Sequence, residues 1–348
     1  MNVDGTDEPL FAAFVAVDWG DKKHAWSLQP ANSEKRERGE IEHNPEMVAA
    51  WAATLSTRFA NQPVALAVEQ SRGPLVFMLS KYEQLHIYPI QPRAAAQFRA
   101  ALVPFGAKDD PSDAELLLDL LVHHRSRLRR LKPDSDQTRL IQHLVEGRRK
   151  LVNERTRQSN RLTAQLKMYF PQLLDWFDAV DSPLVGALLQ RWPTLEALKT
   201  ARPDTVRSFL TAHNCRNQEL IERRVDQIRR AVPAVNDRAL LEASQAMTEV
   251  LVELIATLRQ GIDSFDRQIA QAAEAHPDFA IFDSLPGAGP VLAPRLLAAF
   301  GSQRDRYQSA EWVHVRWACP HFLRQTFHEW AGHSIGFCDW ARAYYQLQ

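Results

Sequence analysis

The alternation of apolar and polar positions over the first 124 residues predicts a small sheet with helices around it. Residues 11–19 form a short apolar run, Gly20-Asp21 makes a turn, and residues 24–28 alternate again, which is typical of a hairpin. Further strands are predicted at 38–42, 64–68 and 86–90, and helices at 46–59, 75–85, 94–102 and 112–124. A meander followed by crossover connections predicts an α/β fold with a mixed sheet.

From residue 125 the pattern changes to long helices. Leucines 140, 144, 151, 162 and 166 recur near multiples of 3.6 residues, which predicts an amphipathic helix or a coiled coil. A second long helix is predicted at 236–275, so two long helices flank an insert of shorter ones and form an antiparallel pair. We therefore expect three parts: residues 1–130, a basic helical and coiled-coil region at 131–275, and a mainly α-helical part at 276–348.

Charge is balanced over the whole chain and unbalanced locally. Lys+Arg 42 against Asp+Glu 42 gives no net charge, so a polyanion must be bound by locally sorted residues. Thirteen basic and four acidic residues lie between Leu121 and Lys167. This stretch is predicted to contact phosphates, and a solvated helix face is the alternative. The candidate contacts are Arg125, Arg127, Arg129, Arg130, Arg148, Arg149 and Lys150.

Cysteine usage and the N-terminus indicate the compartment. Three cysteines at uneven spacing do not resemble a disulfide framework, which favours a reducing cytosol. The first eight residues are acidic rather than signal-like, and no apolar run approaches the ~20 residues that span a bilayer. We expect a cytoplasmic protein without a membrane partner.

Four acids stand where such a sheet would gather them. Asp18 interrupts the apolar first strand, and Glu69 ends the strand at 64–68. Asp110 and Asp113 lie three apart at a helix start, so their carboxylates face the same way. If the strands that carry Asp18 and Glu69 are neighbours, the four carboxylates converge on a site suited to Mg²⁺ and phosphodiester chemistry. The alternatives are helix capping for Asp110 and Asp113 and a solvated strand end for Glu69.

The C-terminal part contains a second candidate site. Gly287 and Gly289 allow a tight turn before a helix predicted at 291–300, whose N-terminus favours an anion. A plain interhelical turn is the alternative. The cysteine and histidine spacing between Cys319 and Cys338 fits no standard zinc finger. The aromatic residues between Trp312 and Tyr344 are predicted to be core rather than a base-stacking surface.

Four stretches in order resemble a known family: Phe14 to Trp19, Ala67 to Glu69, Lys108 to Ala114, and Leu285 to Gly289. They are similar to the insertion-sequence transposases of the hundred-and-ten group, the DEDD transposases described as bridge-RNA-guided recombinases. The resemblance implies a RuvC-like, ribonuclease-H-type N-terminal domain, a coiled-coil connection and a C-terminal transposase domain. It also implies that Asp18, Glu69, Asp110 and Asp113 bind Mg²⁺, that DNA and a guide RNA are partners, and that the chain forms a dimer or tetramer.

The sequence departs from the family at the nucleophile. In the family a serine of the C-terminal domain attacks the DNA phosphate, but here Ser309-Ala310-Glu311 passes directly to Trp312, and the serine-bearing segment is absent. Ser334 does not match that position, so no nucleophilic serine is found. The chain also stops before the family's usual helical tail. We expect a truncated copy that binds nucleic acid and lacks strand exchange; a metal-dependent resolvase-like nuclease and a non-catalytic nucleic-acid-binding protein are the alternatives.

Overall fold

The computed structural model describes residues 9–69, 73–102, 110–303 and 321–347. The chain divides into two compact units, Met1–Pro133 and Asp134–Gln348. The first is built on a sheet and the second is helical in its described parts. The finer division into three parts at residues 130 and 275 stays a prediction. In the described ranges, every helix is too short or too polar to cross a membrane.

The first unit holds a five-stranded mixed sheet with the strand order β3-β2-β1-β4-β5. β1 pairs antiparallel with β2 and parallel with β4, which confirms both the predicted hairpin and the predicted crossover. β3 extends the meander, and β5 runs parallel to β4. The strands are β1 (Ala13–Asp18), β2 (Lys23–Pro30), β3 (Glu37–Glu42), β4 (Val64–Val68) and β5 (Leu85–Pro89).

Helices cover both faces of this sheet. On one face, α1 and α2 pack against Val15, Val17, Leu66 and their neighbours, and on the other α4 packs against alanines. Alanine side chains are small, so the backbone of α4 can lie close to the sheet on this face. The helices are α1 (Pro45–Arg58), α2 (Pro74–Leu79), α3 (Pro92–Leu102) and α4 (Asp110–His124).

Local signals explain where these helices begin and end. Asn44 caps α1 by accepting hydrogen bonds from the amides of Glu46 and Met47, and Pro45 occupies its first turn, as its sequence indicates. The prediction that α2 continues to residue 85 was wrong, because the helix ends at Leu79 and the chain then turns. Leu85 is buried in β5, so the backbone must already be extended there.

The second unit is organised by two long helices, and shorter helices pack at both of their ends. The helices are α5 (Asp136–Tyr169), α6 (Gln172–Trp176), α7 (Pro183–Arg191), α8 (Leu195–Thr200), α9 (Pro203–Ala212), α10 (Gln218–Arg230), α11 (Arg238–Glu274), α12 (Phe279–Asp283), α13 (Gly289–Phe300), α14 (His321–Phe337) and α15 (Asp339–Leu347). α6 to α10 share a core with one end of the pair, and α12 to α14 share a core with the other.

The α5–α11 pair is antiparallel, as predicted. Tyr169 donates a hydrogen bond to Thr248 at one end, with 3.1 Å between the oxygens. Thr138 and the ring Nε2 of His276 are 2.9 Å apart at the other end. Low residue numbers on α5 therefore meet high numbers on α11 along the whole pair. Whether the two helices supercoil as a coiled coil stays a prediction.

Candidate functional site

β1 and β4 bring two of the four predicted acids to the same edge of the sheet. Val17 and Val68 are paired in the parallel ladder, and Asp18 and Glu69 are the residues that follow them. The condition that the two strands are neighbours is therefore met. The carboxyl ends of parallel strands are the usual position for ligands in open α/β sheets.

The pleat of the strands decides which face these acids share. Ala16 and Ala65 contact the α4 layer, whereas Val15 and Leu66 face α1 and α2. Side chains two residues apart point to the same face of a strand, so Asp18 shares the α4 face with Ala16. Glu69, one residue beyond β4, continues the parity of Ala65 and Ala67. Asp18 is only 6% exposed, and Glu69 is partly exposed.

α4 supplies the third acid from above that face. Asp113 is 4% exposed and lies one residue before Ala114, which is fully buried. α4 begins at Asp110, one helical turn before Asp113, while the side chain of Asp110 lies outside the described residues. Asp113 forms an ion pair with Arg99 of α3. This pairing satisfies a carboxylate that would otherwise be a costly buried charge.

The donor set has the right chemistry for a hard cation. Buried carboxylate oxygens are the ligands that Mg²⁺ prefers, and two of these acids are almost fully enclosed. Within the described side chains, however, there is no cluster of three or more His, Cys, Asp or Glu residues spaced to hold a metal ion. The residues fit Mg²⁺ by type, and the Arg99 guanidinium holds Asp113 in this arrangement.

A histidine pair beside the acidic edge was missed by sequence reasoning. His24 of β2 is fully buried, and its Nε2 lies 2.9 Å from Nδ1 of His43. The Gly20 amide donates to Nδ1 of His24, so Nε2 carries the proton and donates to His43. Burial, and then the neighbouring His43, lower the pKa of His24 below its ordinary value. The only available sequence signal was an apolar strand interrupted by histidine.

The predicted nucleic-acid contacts differ in how far their side chains are exposed. Arg127, Arg129 and Arg130 are exposed in the segment that follows α4. By contrast, the Arg125 guanidinium lies over the rings of Phe11 and Phe14, at 4.9 and 5.4 Å from their centroids.

The basic residues of α5 differ in the same way. Arg148 forms a bidentate hydrogen-bonded ion pair with Asp266 of α11. Arg149 is partly exposed. Lys150 is exposed and forms an ion pair with Glu146 on the same helix, with 3.4 Å between Nζ of Lys150 and Oε1 of Glu146. Arg127, Arg129 and Arg130 are thus the exposed arginines of the predicted set, and phosphate binding by these residues stays a prediction.

The glycine turn before α13 has a packing role. Gly287 has a positive φ of 74°, and a Cβ there would lie 2.9 Å from the carbonyl carbon of His333 on α14. Trp330 donates its indole N–H to the Pro286 carbonyl at 3.1 Å, which fastens the same turn. Gly289 also has a positive φ, of 56°, and open space around it. Close approach to α14 therefore explains Gly287 without a ligand, and phosphate binding at this turn stays a prediction.

The predicted aromatic core is confirmed for Phe327 and Trp330 of α14, which pack against the core shared with α12 and α13, and is wrong for the last three residues of the series. Phe337, Trp340 and Tyr344 are 75%, 74% and 55% exposed. Trp340 and Tyr344 stack on each other with ring centroids 5.7 Å apart. Helical spacing placed these residues on one face, but no described element covers that face. Trp312, Trp317 and Cys319 lie outside the described residues.

Comparison with known proteins gives consistent matches. Residues 15–171, which include the four acids, match the family model DEDD_Tnp_IS110, described as a transposase. The mini-circle putative transposase for IS117 of Streptomyces coelicolor is 26% identical over 318 residues, which cover 87% of this chain and 75% of the relative. The putative transposase y4uE of Sinorhizobium fredii is 29% identical over 209 residues, 58% of this chain and 57% of that protein. The IS110 43.6 kDa protein of Streptomyces coelicolor is 24% identical over 294 residues.

Proposed function

We propose that this chain is a DNA transposase of the IS110 DEDD family that acts as a homo-oligomer with a guide RNA. The family match over residues 15–171 and the transposase relatives support the family. The observation that carries the proposal is that Asp18 and Glu69 follow paired residues of two parallel strands, on the face covered by α4. A ribonuclease-H-type site needs carboxylates at this position.

In this proposal Asp18, Glu69, Asp110 and Asp113 hold Mg²⁺. The ion, when bound, supplies electrophilic stabilisation of a phosphodiester and of its leaving oxygen. The chain's own contribution is to enclose Asp18 and Asp113 in a dry layer, where a carboxylate needs a cation beside it. Arg99 fills that need for Asp113, so its guanidinium must give way before Asp113 can ligate an ion.

We propose that the exposed segment after α4 binds nucleic-acid phosphates. Arg127, Arg129 and Arg130 are exposed and lie within six residues of the end of α4. Phosphate contacts release counterions, so the affinity should fall steeply as salt rises, with a slope that lessens by about one for each arginine removed. Arg148→Gln is a matched comparison, since Arg148 is engaged with Asp266 and should act through stability instead.

For strand exchange we propose that this copy is disabled, because no serine matches the family's nucleophile. The test incubates purified protein with Mg²⁺, candidate guide RNA and matched DNA, and separates the products on a denaturing gel. We expect RNA and DNA to bind without a covalent protein–DNA adduct. A serine-linked adduct would overturn the assignment of a disabled copy.

The metal site has its own test, which does not depend on strand exchange. Mg²⁺ should raise the melting temperature of the intact protein, and this rise should be lost in Asp18→Asn. Asp21→Asn is the matched control, because Asp21 lies in the exposed turn that follows β1. An equal Mg²⁺ response in all three proteins would contradict the proposed ligands.

A second candidate is a metal-dependent nuclease of the resolvase kind. One observation favours it: all four acids lie in the first unit, Met1–Pro133, so hydrolysis would require no residue from the second. Mg²⁺-dependent nicks without adducts, abolished by Asp18→Asn, would support this candidate. Nucleic-acid binding without nicks, and unchanged by Asp18→Asn, would instead indicate a non-catalytic binding protein.

A further inference from the structure

α11 carries an apolar stripe on its surface. Met247, Val250 and Leu254 are 51%, 52% and 43% exposed, although they lie in the middle of a long helix. Ala243 and Thr257, which are also exposed, continue the stripe at its two ends. The steps between these five residues are four, three, four and three, which is the spacing of the core positions of a coiled coil.

This stripe faces away from the insert helices. Val252 of α11 packs against Gly186 of α7, where an added Cβ would lie 3.4 Å away. At 100° per residue, Val252 lies about 200° around the helix from Val250. The insert therefore covers the back of α11, and the stripe is on its front.

An acidic flank borders the stripe on one side. Glu242, Glu249 and Glu253 are exposed at spacings of seven and four residues, so they form one column along α11. The centre of this column lies about 100° around the helix from the centre of the apolar stripe, on the side away from α5. The apolar stripe thus has a negative border.

α5 provides the border on the other side, and two close contacts identify which of its faces is involved. Gly147 of α5 lies against the ring of Phe265, and Leu151 of α5 lies against Gly261. Gly261 is four residues after Thr257 and so continues the line of the stripe along α11. The face of α5 that contains Gly147 also presents Lys150, Glu154, Arg157 and Arg161, at alternating steps of three and four. Arg157 and Arg161 are exposed, and Arg157 forms an ion pair with Glu154. Three basic residues against one acid leave this border with a net charge of +2.

We propose that the apolar stripe of α11 is the surface on which a second copy of this chain docks, with the two α11 helices parallel. A two-fold axis along the stripe would place the acidic flank of each copy against the basic flank of the other. A two-fold axis across the stripe would instead place like charges together, which is unfavourable. The surface carries a basic column, an apolar column and an acidic column in that order, so it is complementary to a second copy of itself. We therefore infer that the partner at this surface is a second copy of the chain.

This inference deepens the homo-oligomer part of the proposed function by naming its surface. Its test contains no nucleic acid and no Mg²⁺, so its failure would be distinct from failure of the acidic site. The first measurement is sedimentation velocity of the full chain and of Leu254→Glu, with Ala256→Glu as control. Ala256 is exposed on the same helix, seven residues after Glu249 in the acidic flank and outside the apolar stripe, so both variants add the same charge to the same element.

We expect Leu254→Glu to raise the dimer dissociation constant by about tenfold or more, since a buried leucine is replaced by a buried charge. Ala256→Glu should leave the dimer at least as stable as that of the parent chain, because its added charge faces the basic flank of the other copy. Equal masses for the parent chain and Leu254→Glu at every concentration would overturn the proposal, as would a monomeric parent chain.

Orientation is tested by engineered cysteines and by charge reversal. In a parallel pair, both Met247→Cys and Leu254→Cys should form a symmetric disulfide on oxidation, because each residue faces its own copy. In an antiparallel pair at most one of them could, and that result would overturn the parallel arrangement.

Charge reversal gives an independent check of the flanks. A chain with Glu249→Lys and Glu253→Lys and a chain with Arg157→Glu and Arg161→Glu should each be monomeric. Their mixture should form a heterodimer, because the flanks of one copy are then mainly positive and those of the other mainly negative. A mixture that remains monomeric would contradict the proposed pairing of the flanks.

Discussion

Asp113, a buried residue in the first turn of α4, is held by the guanidinium of Arg99 from the neighbouring helix α3. The side chain of Asp113 is 5% exposed and that of Arg99 is 21% exposed, so the pair is largely shielded from water. Removing one member of a buried pair leaves an uncompensated charge, which is more costly than removing both. The pair therefore couples the position of α3 to the acidic edge of the sheet.

We predict that Arg99→Gln lowers the free energy of unfolding by about 2–4 kcal/mol, and that Arg99→Gln with Asp113→Asn costs less than the two single changes summed. Mg²⁺ should recover part of the loss in Arg99→Gln, because a bound cation replaces the missing positive charge. Urea titrations with and without Mg²⁺ measure both effects.

Arg36→Gln is the control, because it removes the more exposed ion pair with Asp119. It should lower the free energy of unfolding by less than Arg99→Gln does, and Mg²⁺ should not change that loss. Additive losses would show that Arg99 and Asp113 are not coupled.

Asp134 joins the start of α5 to the end of α13. Its carboxylate accepts hydrogen bonds from the amide of Ser302 at 2.7 Å and from the side-chain amide of Gln142 at 3.0 Å. Asp134→Asn should lower the free energy of unfolding by about 1.5–3 kcal/mol, because charge-assisted bonds are lost. Asp136→Asn, two residues later and paired only with Arg139 among the described contacts, should change it by about 0.5 kcal/mol or less. Equal losses in the two variants, measured by chemical unfolding, would argue against this junction.

The His24 pKa predicts a loss of stability in mild acid. The folded protein holds this pKa below the ordinary 6.5, so the unfolded chain binds the proton more readily. The stability is therefore fully present above pH 6.5 and is lost as the pH falls from there towards the folded pKa, by at most about 1.4 kcal/mol per pH unit. Unfolding titrations between pH 7.5 and 5 should show a shallower dependence in His24→Gln. The exposed His328→Gln should keep the parent dependence, and an unchanged slope in His24→Gln would contradict the assignment.

The two glycines of the turn before α13 should respond differently to alanine. Gly287→Ala adds backbone strain and a clash with His333 and Ser334 of α14, so it should destabilise the second unit by about 2–4 kcal/mol. Gly289→Ala adds strain without a clash and should cost about 1–2 kcal/mol. Thermal unfolding measures both. If Gly289→Ala also weakens nucleic-acid binding at constant stability, the turn binds phosphate in addition to packing.

The sheet was predictable because its information is local. Strands such as 64–68 alternate or run apolar between clear turn signals, and the order of elements predicted a mixed sheet. That β1 and β4 are neighbours was only a condition for gathering the acids, and the strand order meets that condition. Helix α2 was predicted too long, because its apolar continuation belongs to the turn and to β5.

Tertiary pairings were not predictable, because they join residues far apart in sequence. The partner of Asp113 depends on how α3 docks beside α4, and the partner of Arg148 is 118 residues away on α11. A count of basic residues cannot distinguish a guanidinium that is engaged from one that faces solvent. The exposed rings of Phe337 and Trp340 show the same limit, because helical spacing identifies a face and does not indicate what covers it.

The length of the α5–α11 pair sets a spacing between its two ends. Ile141 lies in the core shared with α12 to α14, and Leu166 lies in the core shared with α6 to α10. Twenty-five residues of helix at 1.5 Å each separate them by about 38 Å. That distance is about eleven base pairs, or one turn of B-form DNA. A straight duplex lying along the pair would therefore present the same groove to both ends.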